Sequence, residues 1–178
     1  KSSEKGYMLI QKPFKGFENL RNDSIVVKNL NVSGNQSFTQ FKPTRNTYEA
    51  KFIFDINGDS NQNFGVSLCT KRMSKVTIGY NASSSNIYFD RTQSGLVSFS
   101  DKFPKTLNIP VKNQSNQLKF HVFVDESTIE IFVNDGEQVI SSLIFRFADA
   151  TEIELFSKNG NTNLSLFEGW ELKSIWNN

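Results

Sequence analysis

Leu118-Lys119-Phe120-His121-Val122-Phe123-Val124-Asp125 leads through Glu126-Ser127 into Thr128-Ile129-Glu130-Ile131-Phe132-Val133. Asn134-Asp135-Gly136 comes next, and then Val139 to Phe145. Apolar and polar side chains alternate with period two in both runs, the pattern of strands with one buried face. Asn-Asp-Gly tolerates positive φ and reverses the chain, so the third run pairs back on the second. This stretch predicts an antiparallel meander, and the rest of the chain repeats its grammar.

Tyr48-Glu49-Ala50-Lys51-Phe52-Ile53-Phe54-Asp55 alternates and runs into Asn57-Gly58-Asp59, which reads as a hairpin turn. Phe64 to Thr70 and Val76 to Tyr80 are the next two runs. A Ser-rich loop, Asn81 to Asn86, then leads to Ile87-Tyr88-Phe89-Asp90. Ile153 to Phe156, Leu164 to Phe167 and Trp170 to Trp176 read as three further short strands. Short strands broken by turns every 8–12 residues or so predict an all-β fold. Its expected form is a two-sheet antiparallel β-sandwich of the jelly-roll, concanavalin-like kind. Only Phe14 to Arg21, after Pro13, reads as a helical turn or two. Residues 1–22 are expected to be a lead segment and residues 23–178 the sandwich.

Composition narrows the function. The chain has 178 residues, with 20 Lys and Arg against 18 Asp and Glu, a net charge of +2. So balanced a charge gives neither nucleic acid nor an anionic membrane a concentrated basic partner. No apolar run approaches the ~18 residues of a membrane span. The sequence does not begin with Met and reads as a segment of a longer protein. Cys69 is the single cysteine and His121 the single histidine, which excludes an internal disulfide, a Cys-based zinc site and multi-His metal sites. His121 lies in a strand run and reads as a sheet residue rather than a catalytic base. Phe accounts for 17 aromatic residues, against 4 Tyr and 2 Trp.

Asp55-Ile56-Asn57-Gly58-Asp59 has the carboxylate spacing of a calcium loop. However, its glycine stands at position four instead of six, and Val66 occupies the place of the bidentate Glu. No metal site is expected. Asn-x-Ser sequons, such as those at Asn81 and Asn113, are expected by chance in a chain so rich in Asn and Ser. Asp90-Arg91 is more specific, because a carboxylate beside a planar guanidinium can clasp vicinal hydroxyls of a sugar. A glycoside hydrolase needs two carboxylates facing one sugar bond, and Asp90, Asp125, Glu126 and Glu130 are the candidate set, whose plain alternative is solvated charge at strand ends.

Two longer motifs carry a resemblance. Tyr88-Phe89-Asp90-Arg91-Thr92-Gln93-Ser94-Gly95 and the run from His121 to Gly136 are similar to the C-terminal β-sandwich of family 32 glycoside hydrolases, the invertases, inulinases and levanases. Leu9-Ile10-Gln11-Lys12-Pro13, with Glu18-Asn19-Leu20-Arg21, resembles the segment that joins that family's catalytic propeller to its sandwich. The family's propeller motifs, Asn-Asp-Pro-Asn, Arg-Asp-Pro and Glu-Cys, are missing. None of Pro13, Pro43, Pro104 and Pro110 follows an Asp, and Cys69 follows Leu68.

The resemblance therefore implies a non-catalytic domain without a cofactor. It is most like the family 66 carbohydrate-binding modules of secreted bacterial levanases, which bind the terminal fructose of fructans such as levan. The implied partners are a fructan and a covalently attached catalytic propeller. The alternative is a purely structural sandwich with no ligand of its own. Furanose rings offer little flat apolar face, so recognition leans on charged hydrogen bonds with an aromatic closing one side. The expected binding residues are Asp90, Arg91, Asp125, Glu126 and Ser127, with Tyr80, Tyr88 and Trp170 as walls.

Overall fold

The computed structural model describes residues 2–3, 6–111 and 115–175. The sequon at Asn113 and the second tryptophan, Trp176, lie outside the described residues. Two short strands, β1 (Ser2–Ser3) and β2 (Gly6–Tyr7), pair with each other, and a 3-10 helix spans Lys15–Leu20. Among the described residues ten strands come after it: β3 (Ile25–Ser37), β4 (Tyr48–Asp55), β5 (Asn63–Lys71), β6 (Ser74–Asn81), β7 (Asn86–Gln93), β8 (Thr106–Pro110), β9 (Gln117–Val124), β10 (Thr128–Val133), β11 (Gln138–Leu143) and β12 (Glu152–Glu171). All pairings between strands are antiparallel.

One continuous ladder, β11-β10-β9-β4-β12-β5-β6-β7-β8, folds on itself to make the sandwich. The fold line is β12. Its first part, Glu152 to Lys158, pairs with β5, and its last part, Leu164 to Glu171, pairs with β4. β3 runs beside it for its whole length, with a register shift between Ser157 and Asn161. Gly34 (φ 60°), Asn159 (φ 60°) and Gly160 (φ 128°) supply positive φ where both strands bend. Gly is the residue that adopts such angles without steric cost. Ser157 Oγ closes the bend by donating to the Gly160 carbonyl at 2.8 Å.

The alternation seen in the sequence becomes the core. Phe52 and Phe54 of β4, Leu118, Phe120 and Val122 of β9, and Ile129 and Ile131 of β10 face Phe64, Val66, Ile78, Ile87 and Phe89 of the other sheet. Phe54 meets Phe64 across the gap with ring centres 5.1 Å apart. Phenylalanine thus fills the interior, and Tyr80 belongs to this cluster.

Three expectations need correction. The Asn57-Gly58-Asp59 turn makes no hairpin, because β4 pairs with β9 and β12 and not with β5. It carries the chain from one sheet to the other, with Asx bonds from Asp59 N to Asn57 Oδ1 (2.9 Å) and Asn61 N to Asp59 Oδ1 (2.8 Å). The short strands read between Ile153 and Trp170 are one 20-residue strand, because Lys158-Asn159-Gly160-Asn161 is a bend inside β12 and not a break. β3 and β8 escaped the reading. Ile25-Val26-Val27 does not alternate, and Asn, Ser and Gly dominate residues 29–37.

The lead folds back onto the sandwich. Gln11 N donates to the Gly136 carbonyl (3.1 Å) and Lys173 N to that of Leu20 (2.8 Å), while Phe17 packs on Phe123.

Candidate functional site

Strand register decides which polar side chains share a surface, because direct partners on neighbouring strands point to the same face. On the outer face of β12, β5, β6, β7 and β8, one row reads Glu154, Ser67, Thr77, Asp90, Thr106. The next reads Phe156, Gly65, Gly79, Tyr88, Asn108. Two aromatic residues thus bracket two glycines, beside a row of carboxylates and hydroxyls.

The glycine at 79 makes room for a ring. A Cβ there would come within 2.5 Å of both Cζ and Oη of Tyr88, so the Tyr88 ring crosses β6 over bare backbone. Its hydroxyl donates to Asn63 Oδ1 on β5 at 3.0 Å. Burial, with a smaller contribution from the neighbouring Asp90 carboxylate, pushes the Tyr88 phenol up to about 12. The phenol therefore stays neutral and fixed, a half-buried aromatic surface with Asp90 in the adjoining row. Asp90 Oδ1 accepts from Thr92 N (2.8 Å) and Thr92 Oγ1 (2.7 Å). No bond engages its second carboxylate oxygen among the described residues.

Asp90 and Arg91 separate, as neighbours on a strand must. Arg91 reaches across to the other sheet. It donates from NH1 to Ser142 Oγ (2.9 Å) and the Leu143 carbonyl (3.2 Å), and its guanidinium carbon lies 4.2 Å from the centre of the Phe103 ring. Asp125, Glu126 and Ser127 form an exposed corner between β9 and β10. There Asp125 Oδ1 accepts from Thr47 Oγ1 (3.3 Å), and Glu126 lies 3.8 Å from the buried Arg146 and 3.4 Å from Asn46 Nδ2. Tyr80 is buried, with its ring 5.6 Å from Phe64. Trp170 lies on the outer face of the second sheet between two cations, Arg21 at 4.3 Å and Lys51 at 5.0 Å. The structure thus brings Tyr88 and Asp90 together, and Asp125 with Glu126 and Ser127, but these groups do not form one cluster.

The second sheet's outer face holds a different arrangement. Glu49, fully buried, accepts from Arg21 Nε (2.7 Å) and NH2 (2.6 Å), and its Oε1 lies 2.6 Å from His121 Nε2. Burial pushes the Glu49 carboxyl up, but the bonds from His121 and Arg21 outweigh it and hold the group below its ordinary value. His121 is therefore part of the clamp that docks the lead. Asp55 is likewise held below its ordinary value. Burial opposes this, and amide bonds from Asn163 (2.7 Å) and Gln117 (3.0 Å) prevail. No group of three or more His, Cys, Asp or Glu able to hold a metal ion occurs among the described residues. No described helix is long and apolar enough to cross a membrane.

Sequence reasoning missed Asn63, Thr77, Glu154, Gly65, Gly79 and Phe156. They come in pairs from three strands, Asn63 and Gly65 on β5, Thr77 and Gly79 on β6, and Glu154 and Phe156 on β12, and only the register lines them up beside Tyr88 and Asp90.

Comparison with known proteins agrees with the architecture. The levanase of Bacillus subtilis (strain 168) is 28% identical over 177 residues, covering 99% of this chain and 26% of the levanase. The extracellular exo-inulinase of Aspergillus awamori is 26% identical over 172 residues, 95% of this chain and 32% of its own. The crystal structure of the A. awamori exo-inulinase superposes with a TM-score of 0.82 at 25% identity, over 98% of this chain and 34% of that one. Fructan 1-exohydrolase IIa of Cichorium intybus, at 16% identity and a TM-score of 0.79, shares the fold over 97% of this chain and 40% of its own. The chain spans about a quarter to a third of the length of the levanase and inulinase relatives. The profile described as "Glycosyl hydrolases family 32 C terminal" matches residues 16–171, and the chain belongs to that family of C-terminal β-sandwich domains.

Proposed function

We propose that this domain is a non-catalytic carbohydrate-binding module that recognises the terminal fructose of fructans and directs an attached, secreted fructan hydrolase to them. The observation that carries the proposal is the Tyr88 ring fixed over Gly79, with Glu154, Thr77 and Asp90 in the adjoining row. An aromatic surface beside carboxylates and hydroxyls matches what a sugar presents, C–H edges on one side and hydroxyl donors on the other. The levanase and exo-inulinase relatives support fructan as the polysaccharide. The exposed Asp125–Glu126–Ser127 corner, where Glu126 faces Arg146, is the second place for sugar contact.

Affinity electrophoresis of the 178-residue chain through gels with and without levan tests the proposal. Retardation by levan that is lost in Tyr88→Ala or Asp90→Ala supports it and places the site. Retardation lost only in Asp125→Ala moves the site to the corner. Migration unchanged by levan or inulin leaves the domain a structural partner of its hydrolase.

A further inference from the structure

The polar rows continue past Asp90. Beyond Glu154 and Thr77, the β5–β6 hairpin and the start of β12 enclose a recess of about 300 Å³. Thr70, Ser74, Lys75, Gln93, Glu152 and Glu154 line it, joined by Lys71 and Arg72. Register holds the walls in place, since Glu152 pairs with Thr70 and Lys75 with Gln93. Lys71 and Arg72 are occupied by Asp149, at 3.3 and 3.9 Å. The other lining groups are unused. Among the described residues, no side-chain hydrogen bond or ion pair engages Glu152, Glu154, Lys75 or Gln93. Thr70 and Ser74 are 5% and 3% exposed, and neither hydroxyl has a hydrogen-bond partner among the described residues. Neither hydroxyl is exposed to solvent, so the groups the recess offers to a ligand are the side chains of Glu152, Glu154, Lys75 and Gln93.

We infer that this recess is the subsite for the terminal furanose ring, an inference that rests on the fructan-binding function proposed above. Carboxylates at 152 and 154 accept from vicinal sugar hydroxyls, while the Lys75 ammonium and the Gln93 amide donate to their lone pairs, the charge-assisted pairing suited to a polyol. At about 300 Å³ the recess is at the small end for ligand pockets and matches a single ring. Glu154 belongs both to the recess and to the row beside Tyr88. The units behind the terminal ring therefore leave across Asp90 and over the Tyr88 surface. Chain ends are recognised because only an end has a ring that can enter.

Titration calorimetry on the 178-residue chain with free fructose, a short fructan and levan tests this, with circular dichroism confirming the fold of each variant. Lys75 and Glu152 are exposed, so Lys75→Ala and Glu152→Gln are expected to fold. Each is expected to weaken fructose and levan by the same factor, about tenfold, whereas Tyr88→Ala weakens the short fructan and leaves fructose unchanged. If Lys75→Ala with Glu152→Gln leaves every affinity unaltered while Tyr88→Ala or Asp125→Ala abolishes fructan binding, the recess is not the subsite, although the module still binds fructan. If the unaltered chain binds none of the three sugars, both the module's function and the subsite are overturned.

Discussion

Tyr88 is held at both ends, by its own strand and by Asn63 at its hydroxyl, and the ring between them needs the missing side chain of Gly79. A ring fixed before the ligand arrives loses little conformational entropy on binding. Tyr88→Ala is therefore expected to weaken fructan binding tenfold or more while the fold survives, read by calorimetry beside circular dichroism. Tyr88→Phe keeps the ring and loses one bond, and it should retain most of the affinity. Arg91 behaves differently, because its contacts are internal. Arg91→Ala is expected to lower stability by about 1–2 kcal/mol through the lost bonds to Ser142 and Leu143 and the Phe103 stacking. Denaturant unfolding measures this; an unchanged midpoint with lost levan binding would return Arg91 to the sugar site.

Glu49 gives the fold a pH dependence of definite sign. Its carboxyl is held below its ordinary value in the folded chain, so it contributes stability above the unfolded value of about 4.3. That contribution is lost as pH falls through the folded value. Glu49→Gln is expected to cost about 3 kcal/mol near neutrality, as one partner of a buried charge pair is removed. It should also flatten the loss of stability between about pH 4.5 and 3. Unfolding midpoints of both proteins across that range check the expectation.

At the scale of elements, the sandwich depends on β12 and β3 bending together. Legibility in the sequence ended at the same place. Period-two runs such as Gln117–Val124 announced themselves, because every second side chain is buried. The turn at Asn134-Asp135-Gly136 did so too, with φ of 47°, 62° and 94°. β12 did not, because Lys158 to Asn161 looks like a terminator and works as a bend. Asp90 and Tyr88 were readable as polar and aromatic residues on one strand. Their companions Glu154, Ser67 and Thr77 come from three other strands, and no local pattern carries a register. The same register yields a test. Gly79→Val places a side chain where the Tyr88 ring lies and is expected to displace the ring and abolish levan retardation, with the Tyr88→Ala phenotype. Normal retardation of Gly79→Val would show that the ring's position does not matter.

For the whole molecule, the two outer faces carry different arrangements. One receives the lead through Arg21, Glu49 and His121, the side on which the chain enters the domain. The other carries the Tyr88 surface and the recess at the β5–β6 hairpin. On the function proposed above, a ligand on the second face would not compete with the lead docked against the first. A pocket for one chain end also fixes how affinity scales with polymer length. Branched levan, with many ends per molecule, gains only when several modules act together. The most direct measurement is a calorimetric series with a short fructan, inulin and levan, each affinity expressed per mole of chain ends. Equal affinity per end across the series is the expected result. Affinity per end that climbs steadily with chain length, or no heat of binding at all, would contradict recognition of the terminal fructose.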